Sequence, residues 1–308
     1  MISVLSPSES AALTRRVTLL SVTTATILVV LKVIAWLASG SVALLASMAD
    51  SGLDLIASLV TFFAVRYAAA PPDAEHRFGH GKAEAFASLV QGGLVFASAA
   101  LIGQEALRHL ATPQPLTQEG WAVGAMVVST VLTMLLLAAQ TRVLRQTQSV
   151  AVSGDRAHYA MDLASNLVAL AGIGATALIG VSNLDALAAL AVTALLLWGA
   201  VGVFRESANQ LMDHELPLDQ RARIVGLMME DPRISDVHPL RTRSSGPYDH
   251  IQMHVDLDPD LTLENAHSVL IAAENRLLGG FPSADIILHP DPKGRAEPHS
   301  GAFSENHG

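Results

Sequence analysis

The sequence predicts a polytopic α-helical membrane protein, with six transmembrane helices followed by a small soluble α+β domain of order αββαβ. Two observations carry this expectation. Of 308 residues, 51% are hydrophobic and only 15% charged, and the mean hydropathy is +0.40, which is more apolar than soluble domains are. The apolar residues lie mostly before about residue 205, whereas acids and histidines gather after it.

Six apolar stretches are long enough to cross a bilayer, near 15–38, 41–67, 84–108, 119–141, 157–179 and 184–204. The first, LTRRVTLLSVTTATILVVLKVIAW, imitates a twin-arginine export signal. It runs on past Lys32 without a small-residue cleavage site, so it is expected to stay as an uncleaved helix. The last two stretches are rich in Gly and Ala, which suits close helix packing. Arg15 and Arg16 precede span one, Arg66, Arg77 and Lys82 lie between spans two and three, Arg142 and Arg145 follow span four, and Arg205 closes span six. The opposite side offers Arg108 and little else, which places both termini in the cytoplasm. Lys32 is expected near the far end of span one, its stem snorkelling to the interface.

After Arg205, ESANQLMDHELPLDQ reads as a polar linker with a proline break. In the soluble part DQRARIVGLMME is helix-like, and ISDVHPLRTRSS and YDHIQMHVDLD alternate as strands around an SGP turn. LTLENAHSVLIAAENRLLGGF is an amphipathic helix, capped by Thr262 over Asn265 and closed at Gly279 and Gly280. ADIILHPDP supplies a last strand. The expected division is 1–14 as an N-terminal tail, 15–208 as the membrane domain, 209–292 as the soluble domain, and 293–308 as a disordered tail rich in Pro, Gly and Ser.

Three groups of side chains carry chemistry. Asp50 and Asp54 are one helical turn apart inside SVALLASMADSGLDLIASLVTFF, and His158 and Asp162 repeat that spacing at the start of another apolar stretch. Carboxylates there are costly unless paired, wetted or metal-bound, and the spans offer almost no cation besides Lys32. Three carboxylates and an imidazole make a ligand set for a borderline divalent ion such as Zn2+. Asn166, one turn beyond Asp162, is placed to support that set. Asp73, His76 and His80 have ligand spacing in the loop PPDAEHRFGHGKAEA, where Gly79 and Gly81 would let the backbone fold around an ion; the competing reading is a solvated loop. In the soluble domain, His238, His254, His267, His289 and Asp291 form a third set, against a reading as ordinary surface histidines. Parity puts His250 with His254 on one strand face, and His289 with Asp291 on another.

Net charge is −9 and no basic patch with interleaved aromatics occurs, so nucleic acid is a poor partner. With no cysteine, disulfides and thiolate sites are excluded, and a metal must be held by His and carboxylate. A membrane metalloprotease is disfavoured because no HExxH pair occurs and the quartet leaves no ligand position for water. A metal sensor that transports nothing is the other reading from a different class.

MADSGLD, PPDAEHRFGHGKAEA, HYAMDLASN, LMDHEL, LRTRSSG and IILHPDP, in this order, resemble the cation diffusion facilitator family, in its bacterial FieF-like zinc and iron efflux branch. The resemblance extends from span one to about Pro292. It implies a multi-pass protein of the bacterial inner membrane, a homodimer rather than an enzyme, whose soluble part is a metallochaperone-like dimerisation module. It implies that Asp50, Asp54, His158 and Asp162 form a transport site and that Asp73, His76 and His80 form a loop site. His238, His254, His267, His289 and Asp291 would form a two-metal site with Asp291 bridging, although a glutamine of the branch is Pro290 here. Lys82 and Asp213 match an ion pair between protomers. The function implied is export of Zn2+, Cd2+ or Fe2+ in exchange for protons, with zinc also a regulatory ligand.

Overall fold

A computed structural model describes residues 7–39, 42–111, 120–147, 149–179 and 183–295. Apart from 293–295, the expected disordered tail lies outside the described residues. The chain divides into a helical unit, Ser8–Met212, and a second unit that contains the residues from Asp213 onward.

Six long helices make the first unit: α1 (Pro7–Ser39), α2 (Val42–Ala68), α3 (Ala83–Ala111), α4 (Gly120–Thr147), α5 (Val150–Ile179) and α6 (Asn183–Leu211). Pro7 takes a first helical position, where its missing N–H costs nothing. The helix therefore reaches into the stretch expected to be an N-terminal tail. At the other end α6 continues through Leu211, so the first part of the expected linker is helix instead. Its polar side chains are compatible with this, and Ser207 Oγ bonds back to the Val203 carbonyl at 2.8 Å.

Among the described residues, five of these helices are long and apolar enough to cross a membrane. α5 carries Asp155, Arg156, His158 and Asp162 in its first half. The outward faces are apolar, with Leu37, Leu101, Leu195 and Trp198 all exposed. The interior is polar: Thr18, Ser21, Ser58, Thr61, Gln91, Gln140 and Asp155 are buried. Such an arrangement fits lipid as the surrounding solvent, because polar groups must find partners inside the protein.

Asp155 is the centre of that interior. Gln140 Nε2 donates to its Oδ2 at 2.8 Å and to Ser21 Oγ at 3.1 Å. Gln91 Nε2 donates to Asp155 Oδ1 at 3.2 Å and also reaches Thr61 Oγ1 at 2.9 Å. Four helices besides α5 are thereby joined through one carboxylate. Packing is close where α5 meets α3: a Cβ on Gly154 would stand 2.8 Å from Ser88 Oγ and 3.0 Å from Ser88 Cα.

The second unit contains α7 (Leu218–Met229), β1 (Ile234–Ser245), β2 (Tyr248–Leu257), α8 (Leu263–Gly280) and β3 (Ala284–Pro292), in the αββαβ order that the sequence predicts. The strands form one sheet in the order β1-β2-β3, antiparallel between β1 and β2 and parallel between β2 and β3. Ile251, Met253, Val255 and Leu257 alternate along β2 and pack with Ile224, Met228, Val269, Ala273 and Leu277 of the two helices. Thr262 caps α8 as expected, its side chain accepting from the Asn265 amide. Both helices therefore cover one face of the sheet. The other face carries His254 and Asp256 on β2, with His289 and Asp291 on β3.

Candidate metal centres

Two helices build the first centre. Asp54 on α2 and His158 on α5 are buried, and Asp162, one turn after His158, is partly so. His158 Nε2 lies 2.9 Å from Asp54 Oδ1 and 3.8 Å from Asp162 Oδ2. Two atoms each about 2.0 Å from one tetrahedral zinc ion are about 3.3 Å apart, so the three atoms are spaced as ligands of a common ion. His158 Nδ1 and Asp162 Oδ2 are buried without a hydrogen-bond partner. Asp162 Oδ2, the atom that faces His158 Nε2, is thus an unsatisfied acceptor that a divalent cation suits, whereas Nδ1 is on the other side of the ring and takes no part in the triad.

The structure brings three of the expected four residues together. Asp50 shares the helix face of Asp54 but is exposed and stands outside this group. Asn166, half-buried on α5, also lies outside it. Lys32 Nζ donates to Ser51 Oγ at 2.6 Å, beside Asp50.

The loop between α2 and α3 builds the second centre. Asp73 Oδ1 accepts from the backbone amides of Glu75 and His76, at 2.9 and 2.6 Å. These bonds fold the loop and hold the Asp73 carboxyl below the usual carboxylate range, the His76 amide contributing most. Asp73 Oδ1 then meets His76 Nδ1, and Asp73 Oδ2 meets His80 Nε2, each at 3.3 Å. Gly79 has φ of 77°, a conformation glycine adopts without strain. Gly81 does not share it, so only one of the two glycines serves the fold in the expected way. His80 is buried against Tyr67, with ring centroids 4.4 Å apart, whereas Asp73 and His76 face outward.

Strand register builds the third. His254 is paired with His238 on one side and His289 on the other, and Asp256 is paired with Asp291. Five side chains meet there. His254 Nδ1 lies 2.7 Å from Asp291 Oδ2, and His289 Nε2 lies 3.4 Å from Asp291 Oδ1. His238 Nε2 lies 3.0 Å from Asp256 Oδ1 and 4.0 Å from Asp291 Oδ2. These are two triads that share Asp291. Asp256 is absent from the sequence reading; its signal was the alternation that placed His254 and Asp256 on one face of β2.

His267 does not join this set. It is exposed on α8, which packs against the opposite face of the sheet. His250 shares the face of His254 as expected, but pairs with Asp285 at 3.1 Å near the other end of β2. Pro290 contributes no polar side-chain atom beside Asp291. Of the expected ion pair, Lys82 Nζ donates to the Leu211 carbonyl at 3.3 Å within the helical unit. Asp213 accepts from Arg243 Nη1 at 3.2 Å within the other.

Membrane-crossing helices around buried metal-ligating side chains, joined to a soluble unit with the same ligand chemistry, define the class of membrane cation transporters. The chain belongs to the cation efflux family: the cation efflux transmembrane domain matches residues 18–212, and the cytoplasmic domain of cation efflux proteins matches residues 216–293. Cation-efflux pump FieF of Yersinia enterocolitica is 39% identical over 287 residues, covering 92% of this chain and 94% of that protein. FieF of Serratia proteamaculans is 38% identical over the same length and shares. A solved structure of CzrB, described as a zinc transporter in its zinc form, is 30% identical and covers 28% of this chain and 98% of that one, with a TM-score of 0.26. The family is one of transporters, not enzymes.

Proposed function

We propose that this protein exports Zn2+ from the cytoplasm in exchange for protons, by alternating access at the site of Asp54, His158 and Asp162. The observation that carries the reading is this triad, with its unsatisfied Asp162 Oδ2, buried among lipid-facing helices. Asp50 is the fourth ligand, one turn from Asp54, and reaches the ion when the site closes. An imidazole beside carboxylates favours Zn2+ or Cd2+ over harder cations such as Mn2+, and leaves Fe2+ as a competitor.

The chemistry follows from the lone pairs. Each ligand binds the cation only when unprotonated, so loading releases protons to the cytoplasm. Protons arriving from the other side compete for the same atoms and eject the ion. The protein acts as a homodimer in the bacterial inner membrane, both termini cytoplasmic, with Lys82 and Asp213 pairing between protomers. The loop triad and the triads around Asp291 bind zinc in the cytoplasm and favour the transport-ready state.

The test is Zn2+ flux into proteoliposomes under an imposed pH gradient. Flux that follows the gradient and vanishes in Asp54→Ala supports antiport through the triad. Flux that survives the substitution removes the triad from the path, and tight zinc binding without flux turns the protein into a sensor.

A further inference from the structure

Asp50, Asp54 and Asp162 bring three carboxylates to one region of the helical unit, against one imidazole. A divalent cation compensates two of those charges and leaves one. In an apolar surrounding a residual charge is costly, and the cost is met by a partner inside the protein.

Lys32 is placed to be that partner. Its Nζ donates to Ser51 Oγ at 2.6 Å, so α1 delivers an ammonium to the segment of α2 between Asp50 and Asp54. Ser51 is buried and Lys32 half-buried. Ser51 directly follows Asp50 and precedes Asp54 by three residues on α2, so the ammonium stands beside the carboxylate-bearing turn. It has no lone pair while charged and cannot be a metal ligand.

We propose that Lys32 is the resident counter-cation of the transport site. Three carboxylates, one divalent ion and one ammonium sum to zero with His158 neutral, so the loaded site is electrically balanced. The same positive charge repels the bound ion and keeps its affinity low enough for release. The proposal rests on the transport-site reading given above. The alternative is a strut, in which Lys32 only ties α1 to α2 through Ser51.

Zinc binding to the purified full chain separates the two. The measurement is made in a background carrying Asp73→Ala and Asp291→Ala, so that the loop and soluble-unit ligands do not contribute. Lys32→Met removes charge and hydrogen bond together, whereas Lys32→Gln removes the charge and keeps an N–H donor. Both are expected to bind Zn2+ about tenfold more tightly, the size of effect a unit charge has on a nearby divalent ion in a partly screened interior. Lys32→Arg is expected to stay within about twofold of the unsubstituted background, since its charge is retained. Neutral variants that bind with unchanged or weaker affinity overturn the proposal. Failure of the site reading itself looks different: zinc binding in the unsubstituted background would then be unaffected by Asp54→Ala.

Discussion

His254 Nδ1 and Asp291 Oδ2 lie 2.7 Å apart on neighbouring parallel strands, and the second oxygen of the same carboxylate faces His289 at 3.4 Å. One acid thus turns one oxygen to the His254 and His238 side and the other to His289. His254 and His289 belong to one triad and His238 to the other, so both triads draw on this one carboxylate, whose Oδ2 faces a histidine of each. Asp291→Ala is therefore expected to remove zinc from both triads, lowering the stoichiometry of the full chain by two equivalents per protomer. Asp256→Asn is expected to spare the His254 and His289 half and to weaken the other at least about tenfold, as loss of a metal-site carboxylate does. Equilibrium dialysis against Zn2+ distinguishes these outcomes. Equal losses in the two variants would mean that the triads are a single site.

The triad of Asp54, His158 and Asp162 mixes one nitrogen with oxygens, and that mixture is expected to set its metal preference. His158→Asp converts it to oxygen ligands alone, which harder or larger cations accept more readily. The ratio of Cd2+ or Mn2+ flux to Zn2+ flux in proteoliposomes is expected to rise severalfold, while total zinc flux falls. An unchanged ratio would remove His158 from selectivity.

Asp155 has a different task from its neighbour His158. It accepts from Gln140 at 2.8 Å and from Gln91 at 3.2 Å, with Ser21 bonded to the same Gln140 amide. Deleting the acceptor leaves two amides buried without it, at about 1–3 kcal/mol for each unsatisfied group. Asp155→Ala is expected to lower the thermal midpoint of the detergent-solubilised protein by several degrees, and Gln140→Leu by less. A midpoint unchanged in Asp155→Ala would show that the carboxylate does not hold the bundle together.

The outline of this architecture was legible in the sequence because lipid and water impose opposite patterns on long helices and alternating strands. Membership of Asp54, His158 and Asp162 in one site was legible for the same reason: i, i+4 spacing fixes a shared face, and an apolar context makes the carboxylates conspicuous. What escaped needed tertiary information. Asp155 is in the same helix as His158, and only packing shows that it meets Gln91 and Gln140 and not the triad. Asp256 depends on strand register, which parity constrains but does not set. Lys32 was placed by its distance along α1, whereas the facing of α1 toward Ser51 decides where its ammonium lies. His267 is set apart by the same kind of information: its ligand-type side chain is on α8, which covers the opposite face of the sheet.

Asp231 provides a test in the soluble unit, away from every candidate metal ligand. Arg233 Nη2 binds its Oδ2 at 2.8 Å, and Arg276 Nη1 of α8 reaches the same atom at 3.3 Å. These partners, Arg233 foremost, hold the Asp231 carboxyl well below the usual carboxylate range. A carboxyl whose folded pKa is depressed binds fewer protons in the folded than in the unfolded state around the unfolded value, which is about 3.9. Its contribution is fully present above that pH and fades as pH falls toward the lowered folded value. Asp231→Asn is therefore expected to weaken protection of the α8 and β1 amides against hydrogen exchange at neutral pH. A loss of about 1–3 kcal/mol matches the removal of one partner from a partly buried pair. The gap between wild type and variant is expected to be constant from pH 7 to about pH 5 and to close below about pH 4. A gap that instead widened on acidification would show that Asp231 is not held ionised by its arginines.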